Sequence, residues 1–319
     1  MNWFWVSLCA IPLALVIDRR WGEPPVWLHP VVLMGRYLGA LGPRLCALPS
    51  ASALVGGMLA WSLGACLVAA LGLAVELVLQ LGGLLAGMDA PWITAVQAVL
   101  LALMLKPMLA WRMLRDEVAG VEQALAESLP AGRLQLQRLV SRDVTHLDAT
   151  TVRESAIETL AENLNDSVIA PLFWFAVGGL PAAALYRFAN TADAMWGYRG
   201  RYEWAGKWAA RADDVLSWLP ARLTAGLLVI ASGRRLSWSS LRWQAAQTPS
   251  PNGGWPMGAM ALLLDIQLRK PGVYVLHADG VLAQPHHTRQ ALACAGRAVW
   301  AGGVCSALLL WGTALLRGM

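Results

Sequence analysis

From Ala51 to Ala86 the chain runs for 36 residues with a single acidic or basic side chain, Glu76. About 20 apolar residues in a helix are enough to cross the hydrocarbon core of a bilayer. A water-soluble domain has nowhere to bury so long an uncharged run. The composition agrees: 57% of the 319 residues are hydrophobic and 14% are charged, with a mean hydropathy of +0.50. Globular domains sit nearer 45–50% and roughly 25%. Disorder, a coiled coil and a disulfide scaffold are excluded, and the fold class expected is an all-α, polytopic membrane protein with about 4–6 transmembrane helices. The five cysteines (Cys9, Cys46, Cys66, Cys294, Cys305) are scattered and form no CxxC pair, which argues against a zinc site. The net charge of +5 comes without a Lys/Arg run or a basic-aromatic module, so no nucleic-acid partner is expected.

Residues 1–17 read as a retained first helix, because Asp18-Arg19-Arg20 follows directly and no cleavage pattern does. Residues 91–110 and 296–316 are further spans. Arg19, Arg20, Arg36 and Arg44 place the first loop in the cytoplasm, while the Gly87–Ala90 turn has no basic residue. Six arginines between Arg112 and Arg153 place the next segment on the same side. The middle candidates are less regular. Residues 167–188 are interrupted by Gly178-Gly179-Leu180-Pro181, and 220–232 is short and contains Arg222. If both crossed, Arg187, Arg199, Arg201, Lys207 and Arg211 would lie outside, against the positive-inside rule. The expectation is therefore that the middle segments are broken or re-entrant, where irregular backbone is tolerated. The resulting division is N-terminal spans over 1–110, a polar helical segment on the cytoplasmic side over 111–166, a motif-rich region over 167–293 and a last span over 294–319. Within the polar segment, a helix over 114–129 ending at Pro130, a short one over 133–140, and a third capped by Asp148 or Thr150 are expected.

That third helix carries the main chemical signal. Glu154, Glu158 and Glu162 recur at i, i+4 and i+8, and Asp166 adds one more turn, with Asn163 beside it. Such residues form one row on a helix. Like charges in a row repel unless a cation lies over them, and a hard divalent ion such as Mg2+ suits oxygen ligands. A solvated helix face is the competing reading. Since the row runs into the apolar stretch 168–176, its last members sit at the bilayer edge, where charges are usually functional.

A second cluster holds Asn190, Thr191, Asp193, Tyr198, Arg199, Arg201, Tyr202, Lys207, Arg211, Asp213 and Asp214. It reads either as a salt-bridge network or as a binding site for phosphates or carboxylates. A third, residues 250–257 (SPNGGWPM), is a tight loop that brings backbone near a ligand and offers Trp255 to a flat one. Residues 270–274 (KPGVY) form a similar loop with one cation, Lys270. Glu76 either faces protein or sits near the outer interface. His146, His277, His286 and His287 have no metal spacing and read as loop residues. No P-loop, nucleophile elbow or dinucleotide-binding motif is present.

Taken in order, the motifs resemble the adenosylcobinamide-phosphate synthase family of cobalamin biosynthesis. The match begins with Asp18, Gly22-Glu23-Pro24-Pro25, Leu28-His29-Pro30-Val31 and Met34-Gly35-Arg36. It continues through Arg142-Asp143, residues 158–163 (ETLAEN), Asp166, Asn190-Thr191, Asp193, Gly197-Tyr198, Arg201-Tyr202, Arg211, Asp213-Asp214 and residues 220–223 (PARL). It closes with Ser250-Pro251-Asn252, Gly254-Trp255-Pro256-Met257 and Lys270 to Tyr274. The chain departs from the usual pattern at Asn165, Ala192, Ala194, Ser217 and Gly253, where the last position is usually Ala.

The resemblance implies an ATP-dependent amide ligase of the inner (cytoplasmic) membrane, with its active site facing the cytoplasm. It joins adenosylcobyric acid to (R)-1-amino-2-propanol or its O-phosphate. Glu158, Glu162, Asp166 and Asp193 are then expected to hold Mg2+. Arg201, Lys207, Arg222 and Lys270 would bind phosphates together with Asn190, and Arg211 would act with the catalytic acids. Asp213 or Asp214 would take the proton of the attacking ammonium. Tyr198, Asn252 and Trp255 would line the corrinoid pocket. Other late membrane enzymes of the pathway are expected partners. The alternatives are a non-catalytic membrane sensor of the related β-lactamase-induction family and a cation transporter using Glu76 and the acid row.

Overall fold

A computed structural model describes residues 2–86, 91–198 and 200–316; the expected Gly87–Ala90 turn and Arg199 lie outside them. The helices, in chain order, are α1 (Asn2–Trp21), α2 (Pro30–Cys46), α3 (Ser50–Leu85), α4 (Pro91–Leu105), α5 (Trp111–Glu127), α6 (Leu129–Leu136) and α7 (Ala149–Leu164). They continue with α8 (Ala170–Trp196), α9 (Lys207–Leu216), α10 (Trp218–Ser232), α11 (Trp238–Ala245) and α12 (Gly254–Leu264). A small antiparallel hairpin, β1 (Leu268–Lys270) and β2 (Tyr274–Leu276), precedes α13 (Pro285–Leu316).

Four helical stretches are long and apolar enough to span a membrane: Ser50–Leu85, Pro91–Glu127, Ala149–Trp196 and Pro285–Leu316. A fifth is added if Lys207–Leu216 and Trp218–Ser232 count as one span. This is a polytopic all-α membrane protein. The first expected span, α1, is not among the four. Asp18, Arg19 and Arg20 occupy its end, and the uncharged remainder is shorter than the hydrocarbon core requires.

The helices fall into two compact units. The first comprises Met1–Ala110, Ala170–Leu216 and Gly303–Met319, the second Trp111–Ile169 and Ser217–Gly302. In the first unit α1 packs on α4, and α3 and α2 pack on α8. Phe188 and Trp196 of α8 are buried with Met34 and Leu38 of α2 and Ala65 of α3. The break expected in the middle of the chain is real. Gly178 and Gly179 leave helical geometry, Gly179 with a φ of +68°, a conformation that suits a residue without a Cβ.

In the second unit α5 packs on α6 and α7, while α12 packs on α7, α10 and α11. Pro130 opens a helix here rather than closing one. Ser128 caps α6 by accepting the Ala131 N–H, and Pro130 sits in the first turn, where its missing N–H costs nothing. Residues 270–274 are the turn of the β1–β2 hairpin. His286 and His287 are not loop residues: they lie in the first turn of α13, His287 buried.

Candidate functional site

The acid row exists, on α7, but its members have different fates. Asp148 caps the helix by accepting the Thr151 N–H at 2.7 Å, and that bond holds its carboxyl below the ordinary value. Glu154 is fully buried and takes two hydrogen bonds, at 2.7 and 2.9 Å, from the guanidinium of Arg269 on β1. The fork geometry makes this a closed structural pair. Glu158, also buried, accepts from Arg142 at 3.1 Å and from the Tyr274 hydroxyl at 2.6 Å. Burial, the negative charges of Glu158 and Glu162 and the bond to Glu158 all push the Tyr274 phenol above its ordinary value. Tyr274 therefore remains a hydrogen-bond donor.

Glu162 is the open member. It makes no hydrogen bond or ion pair with any described residue. Its charge interacts with Asp166 and Glu158 on the acidic side and with Lys270 and Arg142 on the basic side. Asp166 lies in a π-helical turn, Asn165–Ile169, a feature frequent at functional sites. The buried Asn165 amide donates to Asp166 Oδ1 at 2.8 Å, and the Thr224 hydroxyl of α10 donates to Asn165 Oδ1 at 3.1 Å. Asn165, one of the departures from the family pattern, thus orients an acid of the row.

The 250–257 loop closes over this face of α7. Ser250 Oγ accepts the backbone N–H groups of Asn252 and Gly253 at 3.2 and 3.1 Å, which folds the loop tightly into α12. Gly253 lies against Glu162, so that a Cβ there would be 2.9 Å from Oε1. The Arg222 guanidinium donates to Asn252 Oδ1 at 3.1 Å. It also stacks on Trp218 and Trp255, 4.3 and 4.7 Å from the ring centroids, and Trp255 packs on Trp238.

Among the described residues no three acidic, histidine or cysteine side chains converge closely enough to hold a metal ion by themselves. Mg2+ rarely needs that. It binds through one or two carboxylates, keeps waters and uses substrate phosphates for the rest. Glu162 with Asp166 fits that mode, while both Glu158 oxygens are already engaged.

The remaining predicted positions belong to the first unit, where each makes local contacts. Asn190 Oδ1 accepts from Arg187 at 3.4 Å, and the Asp193 carbonyl accepts the Gly197 N–H. Arg201 lies over Tyr202, and Lys207 over Trp204 with Glu203 at 3.9 Å. Arg211 pairs with Asp214 at 3.4 Å, Asp213 is half-buried, and Tyr198 is exposed.

The family model described as CobD/Cbib protein matches residues 11–299. The chain belongs to this family. It is 38% identical over 269 residues to the probable cobalamin biosynthesis protein CobD of Pyrococcus abyssi, covering 84% of each chain. It is 40% identical over 289 residues to the cobalamin biosynthesis protein CobD of Brucella anthropi, again over 84% of both. The corresponding protein of Methanothermobacter thermautotrophicus is 38% identical over 270 residues, 83% of this chain and 84% of that one. No solved structure matches. Membership in the CobD/Cbib family assigns the chain to cobalamin biosynthesis.

Reading the sequence gave no role to Arg142, Tyr274 or Arg269, which turn out to partner the acid row. Arg142 and Tyr274 stand in motifs shared with the family, so the resemblance held the signal. Arg269 stands just outside such a motif, and nothing in its surroundings singled it out.

Proposed function

We propose that this CobD/Cbib protein catalyses the ATP-dependent ligation of adenosylcobyric acid to (R)-1-amino-2-propanol or its O-phosphate, at the cytoplasmic face of a bacterial inner membrane. The observation that carries the reading is Glu162: a carboxylate with no hydrogen-bond or ion-pair partner among the described residues, interacting with the charges of Asp166, Lys270 and Arg142 and approached by Gly253 of the 250–257 loop. Acids and bases arranged this way, with one acid left open, suit a divalent ion and the phosphates it accompanies.

A carboxylate is a poor electrophile. The corrinoid carboxylate would first attack the γ-phosphorus of ATP, releasing ADP and forming an acyl phosphate. The amine would then attack the acyl carbon and expel phosphate. Bound Mg2+ would neutralise charge on the triphosphate, since catalysis of phosphoryl transfer is chiefly positioning and electrostatics. Glu162 and Asp166 would hold the ion, and Glu158 would keep Arg142 and Tyr274 in place. Lys270 would face the phosphates. Arg222, bound to Asn252 and stacked on Trp255, would fix the loop that offers Trp255 to the corrin. In the first unit, Arg201, Lys207 and Asn190 would bind the aminopropanol phosphate, and Tyr198 the corrinoid. Asp213 or Asp214, with Arg211, would take the ammonium proton.

Purified protein in detergent, given adenosylcobyric acid, ATP, Mg2+ and either amine, should yield a corrinoid heavier by the amide-linked amine, with one ADP formed per product. ATP consumption without a heavier corrinoid, or no reaction with either amine, would refute the reading.

A further inference from the structure

Between Asp214 and Asp265 the chain has no acidic residue and four arginines, Arg222, Arg234, Arg235 and Arg242. Arg222 braces the 250–257 loop. The other three precede or belong to α11, in the second unit, and have no part in the chemistry above. α11 is held from one side. It packs on α12 and buries Leu241, Gln244 and Ala245, and Gln244 Oε1 accepts the His277 N–H at 2.8 Å. Its other side is open: Trp238, Arg242 and Trp243 are exposed, as is Arg235 just before the helix.

Arg297 of α13 marks the depth of this region in the bilayer. It is exposed, and it is the last charge before residues 298–316, an uncharged run of 19 residues that is long enough to cross the hydrocarbon core. An arginine at the end of such a run stands at the headgroup level. Its guanidinium donates to the Ala231 carbonyl, in the last turn of α10, at 2.7 Å. The end of α10 therefore lies at the membrane surface, and α11 starts a few residues later.

What meets the open side of α11 is decided by its side chains. Arg234 donates to the Leu263 carbonyl at the end of α12, while Arg235 and Arg242 make no hydrogen bond or ion pair with any described residue. No acid of the segment offsets them, so the complement is an anion. A soluble anion would account for the arginines alone. It gives no reason for Trp238 and Trp243 to be 60% and 59% exposed on the same helix, or for Ile230 near the end of α10 to be 71% exposed. Indole rings interleaved with arginines suit the headgroup layer, where the rings enter the acyl boundary and the guanidinium groups meet phosphates.

We propose that α11 lies in the headgroup layer and binds anionic phospholipid, with Arg235 and Arg242 on lipid phosphates and Trp238 and Trp243 at the acyl boundary. The full-length protein is placed in nanodiscs of phosphatidylcholine alone or of equal parts phosphatidylcholine and phosphatidylglycerol, and amide hydrogen exchange is followed by mass spectrometry over residues 233–247. Phosphatidylglycerol should slow exchange in this segment on the order of tenfold, the scale set by one or two arginines at an anionic surface, and leave α7 unchanged. Arg235→Gln/Arg242→Gln should exchange at the phosphatidylcholine rate in both bilayers, whereas Arg235→Lys/Arg242→Lys should keep the slowing. Equal wild-type rates in the two bilayers would leave this face to a protein partner and overturn the proposal. Slowing shared by α7 would overturn it as a general stabilisation, and equal slowing by ATP in detergent without lipid would mark a site for soluble anions instead. Slowing that persists in the double Gln variant also refutes it. If that variant does not fold, the wild type at high salt decides: salt screens exposed charges, so slowing that survives it refutes the site.

Discussion

Glu76 Oε1, in the last third of α3, accepts the backbone N–H of Leu180 at 2.7 Å. The Leu180 amide is free to be capped because α8 breaks at Gly178 and Gly179, leaving the N–H groups of its second half without helical acceptors. A carboxylate inside an apolar run thus works as a helix cap supplied by a neighbouring helix. Glu76→Ala should cost roughly 1–3 kcal/mol, the penalty for leaving a buried donor unsatisfied. Glu76→Gln, whose carbonyl oxygen still accepts, should cost less. Thermal unfolding in detergent distinguishes the two, and equal losses would argue that charge rather than capping matters.

The Glu154–Arg269 pair ties α7 to the β1–β2 hairpin. Removing one partner of a buried ion pair is costly, in the range of about 3–5 kcal/mol. Arg269 is itself partly exposed, so Arg269→Ala should fall toward the lower end. The double variant Glu154→Leu/Arg269→Leu should recover part of the loss, because neither charge is then stranded. Chemical or thermal unfolding of the two variants and the double measures the coupling, and strict additivity would contradict a direct pair.

Glu158 and Glu162 are neighbours on one helix face but should fail differently. Glu162→Gln strands no hydrogen-bond partner among the described residues, so its melting temperature should stay near wild type while ligase turnover falls on the order of 10²-fold. Glu158→Gln weakens its bonds to Arg142 and Tyr274 and should lower the melting temperature together with activity. Turnover at saturating and at limiting Mg2+, measured beside the melting temperatures, separates them. Unchanged Mg2+ dependence in Glu162→Gln would remove that residue from the metal site.

The spans were legible because length and absence of charge leave a long helix few other homes, and the break in α8 because Gly-Gly-Leu-Pro cannot continue a helix quietly. The acid row was legible from its i, i+4 spacing. Its division into a closed pair, a propped acid and an open one was not. Arg269 and Tyr274 lie more than 100 residues from their acids, and spacing along one helix says nothing of what a distant hairpin brings. Asn165 shows the same limit: the sequence marks it as an oddity, and only Thr224 of α10 turns it into a relay to Asp166.

Glu23 gives a prediction in pH. Burial alone would raise its carboxyl, but hydrogen bonds from His29 and Lys106 and the Lys106 charge outweigh that and hold it below its ordinary value of 4.5. A group lowered in the folded state contributes stability that is complete above the unfolded value and is lost as pH falls through the folded one. The melting temperature of the wild type should therefore drop more steeply below about pH 4.5 than that of Glu23→Gln, the two curves converging in acid. Parallel curves across the acid limb would refute the contribution.

The two adjacent glycines of the 250–257 loop test whether the loop serves folding or chemistry. At Gly254 a Cβ would collide with the Ala245 carbonyl oxygen, a backbone atom fixed by α11. At Gly253 it would meet the tip of Glu162, 2.9 Å away, and a side-chain tip can move by a few tenths of an ångström. Gly254→Ala should destabilise the loop, lower the melting temperature and reduce activity with it. Gly253→Ala should fold as the wild type does, because alanine also restricts the unfolded chain. Since it displaces the open acid, its signature should be a change in the Mg2+ concentration giving half-maximal turnover, without a change in melting temperature. A Gly253→Ala variant that loses stability but keeps its Mg2+ dependence would place the loop among the structural parts and away from the reacting groups.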